Sequence, residues 1–277
     1  MHLLQEDRER NISPTKEFDG YVGVPPNSQT TLDLFAGEWS SRLPFPLASL
    51  HAGDIPLFED ARITWALDVL GPVEGRDVLE LGPLECGHTY MLDRAGAREV
   101  LAIEGNRRAY LRCLVVKELL DIRSARLLLG DFVEFLAQQP AEADLFDLAV
   151  ASGVLYHMED PLRLLELLAA RARRILLWTH YYDEEVIRSR PELDAKFPGT
   201  TSRAWRGRTF TYHRLEYAAA VRLPGFCGGP AARSNWLSRE ELLLALDILD
   251  LDVLDVAFEQ DDRANGPAFA VAACRRG

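Results

Sequence analysis

The feature that most constrains the fold is the stretch Val78–Gly82, which has the pattern of a buried strand ending in an acid and a glycine. A tight turn with a second glycine, Gly87, follows it, and a helix is expected after that turn. A second apolar stretch ends in Glu104, 22 residues beyond Gly82. Because parallel strands place their carboxyl ends at one edge of a sheet, Glu80 and Glu104 are expected to meet there. This arrangement suits a ligand with a cationic amine at one end and a ribose diol at the other.

Strand and helix patterns alternate along the middle of the chain. A helix is predicted over residues 57–70, and Gly71-Pro72 is expected to end it. Another helix, capped by Asn106, is predicted to end near Leu120 and to bury Leu111, Leu114, Val115 and Leu119. The predicted strands are 77–81, 100–103, 126–129, 146–151 and 174–178. This alternation predicts an α/β fold with a parallel sheet and helices on both faces.

The alternation stops at residues 183–235, which are rich in arginine, glycine, proline and aromatic residues. One strand, 209–215, is predicted there, and a long irregular excursion is typical of a binding loop or lid. Regular structure returns with a capping box at Ser238 and a helix to about Leu249. The last strands, 252–258 and 268–274, are joined by a connection too short for a parallel crossover, so they are expected to be antiparallel.

These patterns divide the chain into four segments. Residues 1–56 are expected to be an irregular or loosely helical extension that packs over the domain. Residues 57–182 form the core, and residues 236–277 complete it. Residues 183–235 form an aromatic-rich insertion that is expected to act as a cap, either as a pocket wall or as a lid.

The bulk composition narrows the class of protein. A net charge of −12 over 277 residues disfavours nucleic acid as a partner unless a local basic face exists. The four cysteines match no zinc or redox spacing, and no metal site is predicted. The N-terminus lacks an apolar signal core, and no apolar run is long enough to span a bilayer. A soluble, cytoplasmic protein without a membrane partner is therefore expected.

The residues just after each predicted strand are the candidates for ligand contact. Gly82 and Gly87 would let the backbone approach a ligand closely, although a plain strand-to-helix turn has the same pattern. Glu80 is a buried carboxylate that needs compensation, either from a ligand ammonium, directly or through water, or from an arginine. Glu104, followed by Gly105, has the position from which an acid accepts both hydroxyls of a ribose.

The next two turns offer further contacts for a nucleoside. Asp131 can accept a hydrogen bond from an adenine amino group while Phe132 covers the ring. The alternative is that the two residues are a helix cap and a core aromatic. Ser152 and the glycine after it leave room for the reactive end of the ligand.

Three side chains are candidates for catalysis. Tyr156 and His157 follow the fourth predicted strand, and His180 follows the fifth, so all three are expected at the same crevice. A lone histidine is more often structural than catalytic, and both interpretations stay open here.

Together these segments resemble the class I S-adenosylmethionine (SAM)-dependent methyltransferases over residues 57–182 and 236–275. The acid-glycine turn, Glu104, Gly130-Asp131 and the run Gly153–His157 occur in the expected order. That run is also similar to one in the tRNA uridine carboxymethyl-transferring enzymes of the superfamily. The resemblance implies a Rossmann-like, seven-stranded, mostly parallel sheet with a C-terminal antiparallel hairpin. It also implies that SAM is bound by Glu80, Gly82, Gly87, Glu104 and Asp131.

The first turn departs from the family pattern, which is acid-x-Gly-x-Gly-x-Gly. Here Gly82 is followed by Pro83-Leu84-Glu85-Cys86-Gly87, which is interpreted as one residue longer and as lacking the middle glycine. Glu85 would then add a carboxylate near the methionine end of the donor.

The resemblance implies methyl transfer by in-line displacement at a sulfonium. For an alcohol or ammonium acceptor, His157 is the first candidate base and His180 the second, whereas a carboxylate or thiolate acceptor would need no base. A small-molecule acceptor, such as a sugar or a secondary metabolite, is expected to contact the aromatic residues of the insertion, namely Trp205, Phe210, Tyr212, Tyr217, Phe226 and Trp236. Nearby arginines, Arg203, Arg206 and Arg208, could bind a phosphate or carboxylate on it.

Three other functions compete with this one. A tRNA-modifying (carboxy)methyltransferase and a non-catalytic SAM-binding or scaffold protein would share the fold. A nicotinamide oxidoreductase is disfavoured, because the first turn lacks the Gly-x-Gly-x-x-Gly pattern that such enzymes use.

Overall fold

The computed structural model describes residues 20–140, 143, 145–222, 226–229 and 231–277. Its α-helices are α1 (Ser28–Leu32), α2 (Ala61–Leu70), α3 (Gly87–Arg94), α4 (Arg107–Leu119), α5 (Phe132–Ala137), α6 (Pro161–Arg171), α7 (Glu184–Arg188), α8 (Pro191–Asp194) and α9 (Arg239–Ile248). Its strands are β1 (Asp77–Leu81), β2 (Glu99–Glu104), β3 (Ala125–Leu129), β4 (Leu148–Ser152), β5 (Arg174–His180), β6 (Gly199–Trp205), β7 (Arg208–Glu216), β8 (Arg233–Trp236), β9 (Leu251–Gln260) and β10 (Ala268–Arg275). Residues 1–19 of the predicted N-terminal extension lie outside the described residues.

Seven strands form the main sheet, in the order β3-β2-β1-β4-β5-β10-β9. β1 to β5 run parallel, whereas β10 is antiparallel to both β5 and β9. The predicted seven-stranded, mostly parallel sheet with a C-terminal antiparallel hairpin is confirmed. The strand order reverses between β1 and β4, which is the point where ligands of such sheets bind.

Helices bury both faces of the main sheet, as its continuous apolar strands predict. Val78 of β1 packs in one cluster with Ile63 of α2 and Leu92 of α3. Leu79, the next residue, packs on the opposite face with residues of α6 and α9. Successive side chains of a strand point to opposite faces, so Glu80 lies on the same face as Val78, toward α3.

The insertion contributes a second sheet of three antiparallel strands in the order β6-β7-β8. The strand predicted over 209–215 is confirmed as β7, whose Phe210 and Tyr212 join the core around α6 and α9. No sequence pattern predicts β6 or β8. β6 exposes six of its seven residues, so no apolar alternation marks it, and β8 has only four residues.

Two predicted helices differ from the structure. The helix predicted from residue 57 begins at Ala61, because the Asp60 side chain accepts a hydrogen bond from the Arg62 amide and caps it there. In α4 the predicted burial of Leu111 and Leu114 is wrong, since these side chains are 42% and 40% exposed. The residues that α4 buries are instead Ala109, Arg112, Cys113 and Val116. No helix in the described part of the chain is both long and apolar enough to cross a membrane.

A buried ion pair orients α4 and anchors the N-terminal extension. A carboxylate oxygen of Glu85 lies 3.3 Å from Nη1 of Arg112. The same carboxylate accepts hydrogen bonds from the amides of Ser40 at 2.9 Å and Ser41 at 2.8 Å. Arg112 also donates to the carbonyl of Glu38. Glu85 is therefore a structural anchor, and the expectation that it joins the methionine end of a ligand is wrong.

Glu85→Gln should lower the free energy of unfolding by about 3–5 kcal/mol, because it leaves the Arg112 guanidinium buried without its countercharge. The matched control is Glu59→Gln, which removes the exposed partner of Arg42 at 4.0 Å and should cost less than about 1 kcal/mol. Urea unfolding followed by circular dichroism measures both values. Equal losses in the two variants would contradict the anchoring role.

Candidate functional site

A cavity of about 1450 Å³ opens at the carboxyl edge of the main sheet. Its wall extends from Asp131 beyond β3, past Glu104 of β2 and Gly82 after β1, to Gly153 after β4 and Trp178 of β5. Neighbouring strands lie about 4.8 Å apart, so a cavity across five strands is about 19 Å long. This span accommodates an elongated ligand, or two ligands end to end, at the point where strand order reverses.

The turn after β1 uses left-handed backbone at alternate residues. Gly82 has φ +66°, Leu84 has φ +55° and Cys86 has φ +61°. Such angles are ordinary for glycine but cost other residues on the order of 1–3 kcal/mol each. These three positions are the glycine positions of the family pattern, so the interpretation of the turn as one residue longer is wrong. Gly87 begins α3 instead, where a Cβ would lie 2.6 Å from the Leu57 carbonyl oxygen.

Glu104 lies on the cavity wall at the end of β2. Its Oε2 accepts a hydrogen bond from the Leu84 amide at 3.1 Å, and its Oε1 accepts one from the Asn106 amide at 2.8 Å. Burial raises the pKa of the Glu104 carboxyl, and the backbone amide donors oppose that rise. Each carboxylate oxygen has a second lone pair, so both remain able to accept from a ribose diol.

Glu80 is not part of the cavity wall. It is 1% exposed, and its Oε2 accepts a hydrogen bond from the Thr89 hydroxyl at 2.5 Å. Burial raises the pKa of this carboxyl. The compensation that the buried acid requires comes from α3 and not from an arginine, because β1 points Glu80 toward that helix. Glu80 therefore does not reach the cavity directly, and its predicted contact with a ligand through water stays a prediction.

The remaining cofactor-binding candidates all line the cavity, namely Gly82, Gly87, Gly105, Asp131, Phe132 and Ser152. Asp131 caps α5 through Oδ1, which accepts from the Val133 amide at 2.8 Å. In the described part of the chain, Oδ2 of Asp131 has no hydrogen-bond donor, so a ligand amino group can still bind it. Phe132 packs partly against the core. The structural and ligand-binding interpretations of this pair are therefore compatible.

His157 lines the cavity and belongs to a chain of hydrogen bonds. Its Nδ1 lies 2.7 Å from the Tyr217 hydroxyl oxygen, and that hydroxyl donates to Ser234 Oγ at 3.1 Å. In this arrangement Tyr217 accepts from the Nδ1 proton, which leaves Nε2 as the unprotonated nitrogen. Burial lowers the pKa of His157 to about 4, and the charge of His180 contributes to the shift. The imidazole is therefore neutral near pH 7.

Of the other two catalytic candidates, Tyr156 lies at the cavity as expected and His180 does not. His180 is buried behind the wall, where its Nδ1 lies 3.0 Å from the carbonyl oxygens of Gly266 and Pro267. The expectation that His180 faces the crevice is wrong, because these carbonyls hold it inward. Tyr156 does line the cavity, and burial raises the pKa of its hydroxyl. The Tyr156 hydroxyl is therefore protonated near pH 7.

Sequence reasoning missed the arginines that face the cavity. Arg203 and Arg206 are paired with Asp160 at 3.3 Å and Glu166 at 2.7 Å, and neither lines the cavity. Arg208 also lies outside the wall. The arginines that line the β5 end are Arg62 and Arg263. The topology could have located Arg263, because an antiparallel β9–β10 hairpin beside β5 places its connection at the carboxyl edge.

Most aromatic residues of the insertion pack inside the protein. Trp205, Phe210 and Tyr212 pack in or against the core near α6, and Trp236 packs with Ile187. Among the six aromatic candidates, only Phe226 lines the cavity. The carbonyl oxygen of Phe226 accepts from Asn106 Nδ2 at 3.2 Å, so this part of the insertion contacts the turn after β2. Within the described ranges, no group of three or more His, Cys, Asp and Glu residues is placed to hold a metal ion.

Solved structures with the same fold include three instructive cases. The N-terminal domain of EvdMO1, crystallised in the presence of S-adenosylhomocysteine (SAH) and D-fucose, matches with a TM-score of 0.65 at 20% identity, over 90% of this chain and 95% of that chain. A SAM-dependent methyltransferase from Mesorhizobium loti matches with a TM-score of 0.54 at 16% identity, over 79% of this chain and 100% of that chain. One from Clostridium acetobutylicum matches with a TM-score of 0.52 at 9% identity, over 81% and 93%.

No protein-family model and no curated protein matches the sequence. The similarity of this chain to known proteins is therefore supported by its fold. The protein has the Rossmann-like fold of the class I SAM-dependent methyltransferases.

Gly82→Ala should lower the free energy of unfolding by roughly 2–4 kcal/mol, since it adds overpacking to backbone strain. Its Cβ would lie 2.7 Å from Val154 Cγ1 on a backbone with φ +66°. The control is Gly130→Ala, which also lines the cavity but would meet no atom within 4 Å and should change stability by less than about 1 kcal/mol. Denaturant unfolding compares them, and a tolerated Gly82→Ala would refute the crowded turn.

The stability of the protein should fall in mild acid because of His157. Its pKa is about 4 in the folded protein, below the ordinary value of 6.5, so the unfolded chain binds the proton first as pH falls. Between pH 7.5 and 5, the wild type should lose on the order of 1–2 kcal/mol more unfolding free energy than His157→Asn, which cannot take up this proton. If the free energy of unfolding changed equally with pH in the two proteins, His157 would not be the group responsible.

Proposed function

We propose that this protein is a SAM-dependent methyltransferase that acts on a small molecule, with a sugar or a secondary metabolite favoured as the acceptor. The observation that carries the proposal is a single cavity with nucleoside-type contacts at one end and Tyr156 and His157 at the other. Its volume of about 1450 Å³ exceeds the roughly 300–1,000 Å³ of an ordinary single-ligand pocket. Donor and acceptor can therefore occupy it together.

The residues at the β1–β3 end fit SAM. Glu104 would accept hydrogen bonds from the ribose hydroxyls, and Oδ2 of Asp131 would accept from the adenine amino group. Phe132 would cover the adenine ring. The turn from Gly82 to Cys86 would bring backbone close to the methionine end, while Ser152 leaves space for the sulfonium.

When bound, SAM supplies an electrophilic methyl carbon attached to sulfur. The task of the protein is to hold the acceptor in line with that carbon, and positioning supplies roughly 7–11 kcal/mol in favourable cases. Tyr217 fixes the tautomer of His157, so that Nε2 can take the proton of an acceptor hydroxyl. A base of this kind adds about 10²–10⁴-fold to the rate.

The charges near the cavity mouth favour a small acceptor over tRNA. Arg163 and Arg206 both pair with Glu166, Arg203 pairs with Asp160, and Arg233 pairs with Glu159. These pairs neutralise the arginines that would otherwise attract a phosphate backbone. The net charge of −12 also repels such a backbone. The structural neighbour crystallised with D-fucose supports a sugar-sized acceptor.

The insertion supports this assignment as a cap over the acceptor end. Its residues Val221, Phe226, Cys227, Gly229 and Ala231 contribute to the cavity wall. The bond from Asn106 to the Phe226 carbonyl spans from the donor side to the insertion, so this segment would shield the reacting groups from water.

Glu104→Gln should weaken SAH binding about 10- to 100-fold, because it removes the charge from the acceptor of two ribose hydrogen bonds. The matched control is Glu99→Gln at the opposite end of β2, where the acid lies 3.9 Å from Arg126 outside the cavity wall. Titration calorimetry measures SAH affinity, and SAH release from SAM in the presence of D-fucose and other free sugars measures turnover. The absence of SAH binding to the wild type would exclude the proposed function.

A further inference from the structure

We infer that the acceptor end of the cavity is an anion subsite, formed by Arg263 with Trp178 and Arg62, that selects acceptors carrying a carboxylate. This inference rests on the proposed function and specifies its substrate class. Neither arginine belongs to the donor contacts described above. Three independent observations support the subsite: its stacked geometry, its charge balance and its place along the sheet.

The subsite is built on the indole of Trp178. The Cζ atom of Arg62 lies 4.5 Å from the ring centroid, and the Cζ atom of Arg263 lies 4.9 Å from it. Trp178 is buried, yet all three side chains contribute to the cavity wall. Stacking on an aromatic face holds a guanidinium in a fixed plane and leaves its in-plane N–H donors for a planar anion.

The charges of the subsite do not balance. Arg62 forms a salt bridge with Asp60, and the same carboxylate lies 2.8 Å from Nε2 of His88. Arg263 donates to the amide oxygen of Gln260 at 2.5 Å, and it forms no salt bridge with any described residue. Of the two guanidinium groups, that of Arg62 is therefore paired with a carboxylate and that of Arg263 is not paired with a carboxylate of any described residue. The excess positive charge at the wall of a concave site favours an anionic ligand.

The position of Arg263 assigns that anion to the acceptor. The β9–β10 connection reaches the carboxyl edge because Ala268 of β10 pairs with His180 at the end of β5. The proposed donor contacts follow β1 to β4, whereas Arg263 lies over β5. A Cβ built on Gly153 would be 3.7 Å from Cζ3 of Trp178 and 3.8 Å from the Tyr156 hydroxyl oxygen. The indole thus borders the space for the transferred methyl group, and Arg263 contacts this same indole at the cavity wall.

The test uses calorimetry on SAH-saturated protein with two matched pairs of ligands. D-galacturonate is compared with D-fucose, and 4-hydroxybenzoate is compared with 4-hydroxybenzamide, because a carboxylate distinguishes the first member of each pair. We expect at least one acid to bind about 10- to 100-fold more tightly than its neutral partner, as a charge-assisted pair of hydrogen bonds would provide.

Three variants locate the effect. Arg263→Gln should abolish the preference for the acid, and Arg263→Lys should keep part of it, because lysine retains the charge but not the planar fork. The control Arg188→Gln removes an arginine that pairs with Glu184 at 2.8 Å outside the cavity wall, and it should leave the preference unchanged.

The affinity of every variant for SAH is measured first, so that a failure of the proposed function can be distinguished from a failure of this inference. Failure of the wild type to bind SAH would overturn the proposed function and this inference together. If Arg263→Gln weakened SAH binding tenfold or more, the arginine would hold the carboxylate of the donor itself, and only this inference would fall. Equal affinity for acid and neutral ligand in both pairs would also overturn it, as would a preference that survives in Arg263→Gln.

Discussion

The carboxylate of Glu104 connects the two turns on which the cavity depends. It accepts from the amide of Leu84 in the turn after β1 and from the amide of Asn106 in the turn after β2. Burial opposes the charge of this acid, and the amides stabilise it. The hydrogen bond to Leu84 also offsets part of the strain of a left-handed leucine. One carboxylate therefore orders the backbone at the switch point of the sheet and still has lone pairs left for a ligand.

Much of the fold could be predicted because the parallel strands are buried on both faces. Short, largely apolar strands such as 77–81 and 148–152, separated by capped helices, leave few alternatives to an α/β sheet. The antiparallel pairing of the last two strands, β9 and β10, could be predicted because the connection between them is too short for a parallel crossover. The strand β6 was not predictable, since both of its faces are exposed and its sequence therefore has no alternation of apolar and polar residues. The burial of α4 was mispredicted because a buried arginine, Arg112, is held by an acid distant in sequence, and its burial is not visible in hydrophobic spacing.

The candidate site was predictable in its location but not in its details. Position after a parallel strand is enough to bring Glu104, Asp131, Ser152 and His157 to one cavity. It does not decide which way a side chain points, and Glu80 faces α3 because of strand alternation. His180 faces inward because carbonyls of the β9–β10 connection hold its ring. The left-handed backbone at Leu84 and Cys86 was also not predictable, because glycine is the residue that indicates such a conformation in a sequence.

The β9–β10 connection has a consequence for how this fold can diversify. Its residues 261–267 join two strands at the rim of the sheet, and the cavity-facing Arg263 lies within that connection. Surface loops accept substitutions and changes of length more readily than strands do. The charge at the β5 end of the cavity can therefore be altered without disturbing any helix or strand at its β1–β3 end. Under the proposed function, recognition of new acceptors can be engineered, or can evolve, in a single hairpin loop while the proposed donor half of the protein stays intact.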